Sequence, residues 1–229
     1  SRYAAFSYVE NADEKKKKQV NPILMVVAGY LALISLGAAL LSLPCAQRQP
    51  VGVLDAFFTA GSAVCVTGLS TIDISTSFTV FGNWILVFLM QCGGLGIMTI
   101  STVIILLAGM HPGFNHQSAL LANYTQEGNV DATRILKAVI PFTFIVEACG
   151  ALAYFSQFSG MGLYDRIFCS IFQAISSFCN VGFTLFPDSL VKFQLNPVMN
   201  ITTCILALAG GFGFLAITEV RYLFDFKNR

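Results

Sequence analysis

Two short stretches carry atoms that could bind a dehydrated cation: Cys65-Val66-Thr67-Gly68 and Cys179-Asn180-Val181-Gly182. They lie 114 residues apart, and the same offset places Ser62 on Ser176. Each follows a short apolar run and ends on glycine. Glycine reaches backbone angles closed to other residues, so successive carbonyls can turn toward one axis. A ring of main-chain carbonyls can replace the water shell of a cation. The expected ligands are the carbonyls of all eight residues, with their side chains facing away. One Thr-Gly or Val-Gly dipeptide ordinarily marks a turn. Two copies in matching surroundings carry the expectation.

Other residues divide between a chemical and a structural role. Gly93-Gly94-Leu95-Gly96 and Gly210-Gly211-Phe212-Gly213 match at an offset of 117. They serve either close helix packing through small residues or a bend of an inner helix beside an ion path. Glu147 sits in an apolar run, where a charge is a functional candidate by default. The structural reading, a carboxylate bonded to a neighbouring helix, is favoured. Asp55, Asp73 and Asp188 could concentrate cations at a mouth, but residues of this kind more often cap helices and form turns. The seven cysteines form no CxxC pair and read as small buried hydrophobes. His111 and His116 share a polar linker with no Cys or carboxylate to complete a metal set. No catalytic cluster occurs, so no enzyme is expected, and the chain itself implies no cofactor.

The elements that would position these loops are membrane helices. The chain is 55% hydrophobic and 11% charged, against about a quarter charged in soluble domains. Between Val20 and Met110 the only charges are Arg48, Asp55 and Asp73. Residues 22–43 reach about 33 Å as a helix, enough to span the hydrocarbon core, whereas residues 52–64 reach only about 20 Å. A short helix followed by irregular polar backbone, set between spanning segments, is the pattern of a re-entrant loop. Residues 78–109 are too long for one simple crossing and must tilt, project or break near the glycines. The layout then repeats, with 135–158 spanning, 164–178 short and 195–218 spanning.

The expected fold is all-α and membrane-embedded. It has two tandem parallel units, each of transmembrane helix, re-entrant pore helix with filter loop, and transmembrane helix. The segments are a tail (1–21), a first unit (22–109), a linker (110–134), a second unit (135–220) and an end segment (221–229). Four crossings put both termini on one side, with Lys15 to Lys18, Arg134, Lys137, Arg221, Lys227 and Arg229. The opposite side holds only Arg48, Arg166 and Lys192. The excess of positive charge makes the first side cytoplasmic, in a multi-pass protein of the cell membrane. The net charge of +1 and the absence of a basic stripe suggest no nucleic-acid partner. Lys15 to Lys18 read as a membrane-side anchor.

The strings SAVCVTGLSTID and FTVFGNWILVFLMQCGGLGIMT, with FCNVGFTLF in the second half, resemble the Trk/Ktr/HKT superfamily of potassium transporters. Their wording is most like its Ktr membrane subunit. The resemblance covers roughly residues 22–220 and implies four units around one pore, of which this sequence holds the first two. A second copy or second half-chain would then complete the ring. The chain also starts at Ser1, which fits a piece of a longer protein. The resemblance implies K+ as the transported ion, held only at the filter. It also implies a cytosolic ring of nucleotide-binding regulatory subunits, facing the linker and residues 221–229. Serine in place of the first filter glycine favours sodium in some plant members. Gly68 and Gly182 are both glycine, so the expectation is potassium uptake.

Two other readings stand beside it: a half-length, non-conducting assembly subunit, or a sodium-permeable member of the same superfamily. The parallel topology disfavours a carrier built on inverted repeats.

Overall fold

The computed structural model describes residues 22–96 and 132–225. The tail, most of the 110–134 linker with His111 and His116, Lys15 to Lys18, and residues 226–229 lie outside the described residues. Seven α-helices are described: α1 (Pro22–Leu41), α2 (Val53–Val64), α3 (Ile74–Ser77), α4 (Val80–Leu95), α5 (Ala132–Gln157), α6 (Leu163–Phe178) and α7 (Pro197–Asp225). Two 3-10 turns, Pro44–Ala46 and Val191–Phe193, join them. The described part is all-α, with only an isolated bridge between Gln47 and Phe78.

Local chemistry sets most of these boundaries. Pro44 opens a 3-10 turn just beyond α1, as a residue without an N–H does where a helix ends. Asp55 lies in the first turn of α2, where a carboxylate complements the helix dipole. Asp73 caps α3 by accepting from the Ser75 N–H at 2.9 Å. That single helical turn falls in a stretch expected to be irregular. Thr79 caps α4, accepting from the Gly82 N–H at 3.2 Å, and its hydroxyl donates to Cys45 O at 2.8 Å. Of the apolar run expected over 78–109, residues 97–109 lie outside the described residues. α4 ends at Leu95, and Gly96 has φ +77°, a left-handed value that stops a helix on glycine. α7, by contrast, runs unbroken through Gly210 to Gly213 and reaches Asp225, seven residues past the expected end.

The helices form two units of the same build. In the first, α1 packs on α2 and α4, and α2 packs on α4. In the second, α5 packs on α6 and α7, and α6 packs on α7. The units meet where α4 lies along α6. Gly37 of α1 receives Leu89 of α4, since a Cβ there would lie 2.7 Å from Leu89 Cδ1. Gly150 of α5 receives Leu206 of α7 in the same way, at 2.6 Å. One architectural contact thus occurs twice.

The surface is that of a protein in lipid. Leu31, Leu36, Phe81, Phe88, Phe144, Ile145, Leu152, Ile201 and Ile205 are exposed, while Thr59, Ser62, Thr143, Glu147, Gln173, Ser176 and Ser177 are buried. So many exposed large apolar side chains fit a membrane-embedded surface. Val139–Gln157 is long and apolar enough to cross a membrane, and only 22% of that window is buried inside the protein. The other apolar helices, Val27–Leu41, Val53–Val64, Val80–Leu95 and Pro197–Gly211, are shorter within the described residues.

Inside the second unit, the fully buried Tyr154 ties three helices together. Its hydroxyl bonds Ser177 Oγ of α6 at 3.0 Å and Thr203 Oγ1 of α7 at 2.8 Å. Tyr154→Phe removes one partner from each hydroxyl, while Ser177 keeps Gln173 Nε2 and Thr203 keeps Met199 O. It is expected to cost about 0.5–1.5 kcal/mol, read as a lower unfolding midpoint in detergent.

Candidate functional site

The two glycine-bearing loops leave the C-terminal ends of α2 and α6 by the same route. In the first loop the N–H groups of Cys65, Val66 and Thr67 donate to Gly61 O (2.8 Å), Ala63 O (3.4 Å) and Ser62 O (2.9 Å). In the second, those of Cys179, Asn180 and Val181 donate to Ile175 O (2.8 Å), Ser177 O (3.2 Å) and Ser176 O (2.9 Å). The Gly182 N–H also reaches Ser176 O, at 3.5 Å. Ser62 and Ser176 close the two loops: Ser62 Oγ accepts from the Leu69 N–H at 2.9 Å, and Ser176 Oγ donates to Phe183 O at 2.7 Å.

Each bond fixes the far side of its peptide. All these peptides are trans, and in a trans peptide the C=O points opposite to the N–H. The carbonyls of Cys65, Val66 and Gly68, and of Cys179, Asn180 and Val181, therefore point away from the short helices. Among the described residues, no hydrogen bond is donated to a carbonyl of 65–68 or 179–182. The backbone reaches this arrangement through left-handed residues at alternate positions: Val66 (φ +56°) and Gly68 (+74°), then Asn180 (+57°) and Gly182 (+87°). A positive φ is a marked outlier for a β-branched residue such as Val66. The Asn180 side chain braces its own outlier, donating to Ala207 O at 3.0 Å and Phe178 O at 3.3 Å.

The loops also approach each other. A Cβ on Gly68 would collide with the carbonyl oxygen of Val181 and lie 3.8 Å from Gly182 Cα. Glycines of the inner helices bring α4 and α7 equally close. A Cβ on Gly93 would strike Val64 O, the last carbonyl of α2, and one on Gly210 would strike Phe178 O, the last of α6. Gly94 makes the contact between units: a Cβ there would lie 2.5 Å from Cys179 Sγ.

This duplicated loop geometry can be set beside known sequences. The profile of the TrkH family, described as a cation transport protein, matches residues 4–229. The chain belongs to the TrkH cation transport family. It is 34% identical over 209 residues to the Ktr system potassium uptake protein B of Bacillus subtilis, covering 91% of this chain and 46% of that protein. It is 34% identical over 214 residues to the protein of the same name from Vibrio alginolyticus, covering 93% and 47%. It is 32% identical over 210 residues to the potassium/sodium uptake protein NtpJ of Enterococcus hirae, covering 90% and 47%. The chain spans about half the length of these curated relatives.

In this TrkH-family chain, the remaining candidate residues fall at varied distances from the loops. Asp55 accepts from Thr71 Oγ1 at 2.7 Å, and Asp73 caps α3, so both hold local structure on the loop side of the fold. Among the described residues, a Cβ on Gly211 would meet only Asn180 Nδ2, at 3.9 Å. Gly213 lies within α7. Among the seven cysteines, Cys92 and Cys179 are buried, Cys169 is half-buried, and Cys45, Cys65, Cys149 and Cys204 are exposed. The expectation that they are buried hydrophobes therefore needs correction: Cys149 and Cys204 lie on the outer surface of apolar helices, and Cys45 and Cys65 lie in a turn and in the first loop. Glu147 is 5% exposed and accepts from Gln91 Nε2 of α4 at 3.2 Å, which is the favoured structural reading.

Two features had little sequence signal. The loop-closing role of Ser62 and Ser176 was visible only as a matched pair under the 114-residue offset. The left-handed Val66 and Asn180 carry no glycine to announce them.

Gly93→Ala and Gly210→Ala each push a methyl group into a backbone carbonyl that cannot swing aside. Overpacking of this kind is expected to cost about 1–3 kcal/mol. Loss of monodisperse protein on size exclusion would report it, and normal stability in both variants would contradict the close helix approach.

Proposed function

We propose that this chain supplies two of the four filter loops of a pore that takes potassium into the cell, with residues 22–109 and 135–220 as the two units. The observation that carries this reading is the set of carbonyls at 65–68 and 179–182: six are directed away from their short helices and none is occupied by a described donor. The C-terminal ends of α2 and α6 also aim their negative dipole ends at the loops, which favours a cation there. The names of the Bacillus and Vibrio relatives specify potassium uptake. The potassium/sodium name of the Enterococcus relative supports a second reading, in which sodium also passes.

The unit boundary supports a ring of like units. At the existing junction, Trp84, Gln91 and Gly94 of α4 meet Phe168, Glu147 and Cys179. Under the 117-residue offset these α4 residues correspond to Ile201, Leu208 and Gly211 of α7. Leu208 is 57% exposed, and among the described residues nothing covers that face. On the other side of the pair, Phe168 and Cys179 correspond to Leu54, which is 83% exposed, and Cys65, also exposed. The pair thus offers one donating and one receiving half of the junction it already makes once. Two further units of the same build would fill both. In the membrane, the excess of Lys and Arg places both termini in the cytoplasm, so the loops enter from outside. A cytosolic nucleotide-binding ring would then meet the linker and residues 221–229.

Gly68→Ser adds a side chain at a left-handed position, facing the Val181 carbonyl. In the complete assembly it should lower the potassium-to-sodium permeability ratio by about tenfold, given the cost of about 1–3 kcal/mol for such backbone strain. An unchanged ratio would overturn the filter assignment. Gly211→Ala tests the ring. Among the described residues the added methyl meets only an ordinary contact, so the variant should damage the assembled pore, as Gly94→Ala is expected to, while sparing the fold of these two units. Full activity in Gly211→Ala would argue against a third unit at that face.

A further inference from the structure

We propose that Gln91 and Glu147 are positioning residues that strap the second loop to the first unit's inner helix and help set which monovalent cation the pore prefers. This inference rests on the filter reading above and adds residues to it. Three contacts build the strap. Cys179, the first residue of the second loop, reaches Gln91 Oε1 through its thiol at 3.8 Å. The Gln91 amide donates to Glu147 Oε2 at 3.2 Å. Gly94, one turn along α4 from Gln91, leaves the space in which Cys179 Sγ sits. A fixed amide therefore holds the loop's first residue, and the carboxylate fixes the amide.

The strap belongs to the contact between units and not to either unit's own build. The duplicated bonds from loop to short helix occur in both halves. The strap residues are not duplicated, because Gln91 corresponds to Leu208 and Glu147 to Leu33 under the offsets of 117 and 114. Its position also sets it apart from ordinary packing. Glu147 is 5% exposed, and its second oxygen, Oε1, has no partner among the described residues. A buried carboxylate in an apolar membrane helix is expensive, and among the described residues one oxygen bonded to Gln91 is all that is set against that cost. The carboxylate lies in a groove of about 470 Å³ between α4, α5 and α6, lined mostly by apolar residues such as Trp84, Phe88 and Phe144. Packing alone would favour a leucine there.

The loop's ligand geometry is sensitive to this hold. The Cys179 and Asn180 carbonyls belong to the peptides immediately after the strapped residue, and the Val181 carbonyl faces Gly68. A small shift of Cys179 therefore moves three proposed ligands and their contact with the first loop.

The test is the potassium-to-sodium permeability ratio of the complete assembly in liposomes, for variants first shown to assemble by size exclusion. Gln91→Leu and Glu147→Leu should each change the ratio by about threefold to tenfold, the range set by losing a buried hydrogen-bond partner. The double variant should be no worse than either single one, because both break the same strap. Glu147→Gln keeps the size and an amide oxygen to accept from Gln91, so it should retain the original ratio. Trp84→Leu removes the edge-on contact with Phe168 at the same junction and changes the groove wall near Glu147, but keeps every bond of the strap, so it should also leave the ratio alone. An unchanged ratio in both leucine variants, alongside a changed one in Gly68→Ser, would overturn the strap and leave the filter reading standing. An unchanged ratio in all three would remove both. A shift in Trp84→Leu as large as in Gln91→Leu, or in Glu147→Gln as large as in Glu147→Leu, would also overturn the positioning role.

Discussion

A trans peptide cannot send its N–H and its C=O in the same direction, and the candidate site follows from that constraint. Once the loop N–H groups are committed to the last turns of α2 and α6, the carbonyls of the same peptides must face the other way. Ser62 and Ser176 seal the arrangement with their hydroxyls. Left-handed residues at alternate positions let the chain meet this demand, with glycine at the second such position of each loop. A carbonyl that leaves water without gaining a partner is costly. Cys65, Thr67, Asn180 and Gly182 are exposed in this chain, and in a membrane protein such a row is tolerated where it meets water or an ion.

Packing serves the same end. Gly93 and Gly210 let the inner helices touch the last carbonyls of the short helices, and Gly37 and Gly150 let the outer helices take in a leucine from the inner ones. These contacts recur in both units at nearly constant sequence offset, so the two halves are the same solution used twice. Contacts that occur once, at the junction of α4 with α5 and α6, distinguish the halves. They are also where a buried carboxylate, an amide and a thiol interrupt an otherwise apolar surface.

Much of this could be read from the residues. The short stretch 52–64 and its counterpart 164–178 stood out because neither is long enough to cross a bilayer, and both became helices within a residue of those limits. The repeat was legible because Cys65 and Cys179, Ser62 and Ser176, and Gly68 and Gly182 share one offset. The single turn at Ile74–Ser77 was missed, because four residues carry no periodicity and only the Asp73 cap marks it. The different fates of the two glycine clusters were also hidden. α4 stops at Gly96 and α7 continues through Gly213, although the local sequences are nearly alike, so surroundings and not propensity decide. The strap was half legible: Glu147 was conspicuous as a lone acid in an apolar run, but Gln91, 56 positions away, carried no signal that paired the two.

The central claim is that main-chain oxygens of these two loops bind a monovalent cation stripped of water. It is tested most directly by collecting anomalous diffraction from crystals of the complete assembly soaked in rubidium or thallium. The account predicts peaks on the axis shared by the loops, within ligand distance of carbonyls of 65–68 and 179–182. Anomalous density confined to side-chain carboxylates, or absent between the loops while the protein remains able to transport those ions, would contradict it.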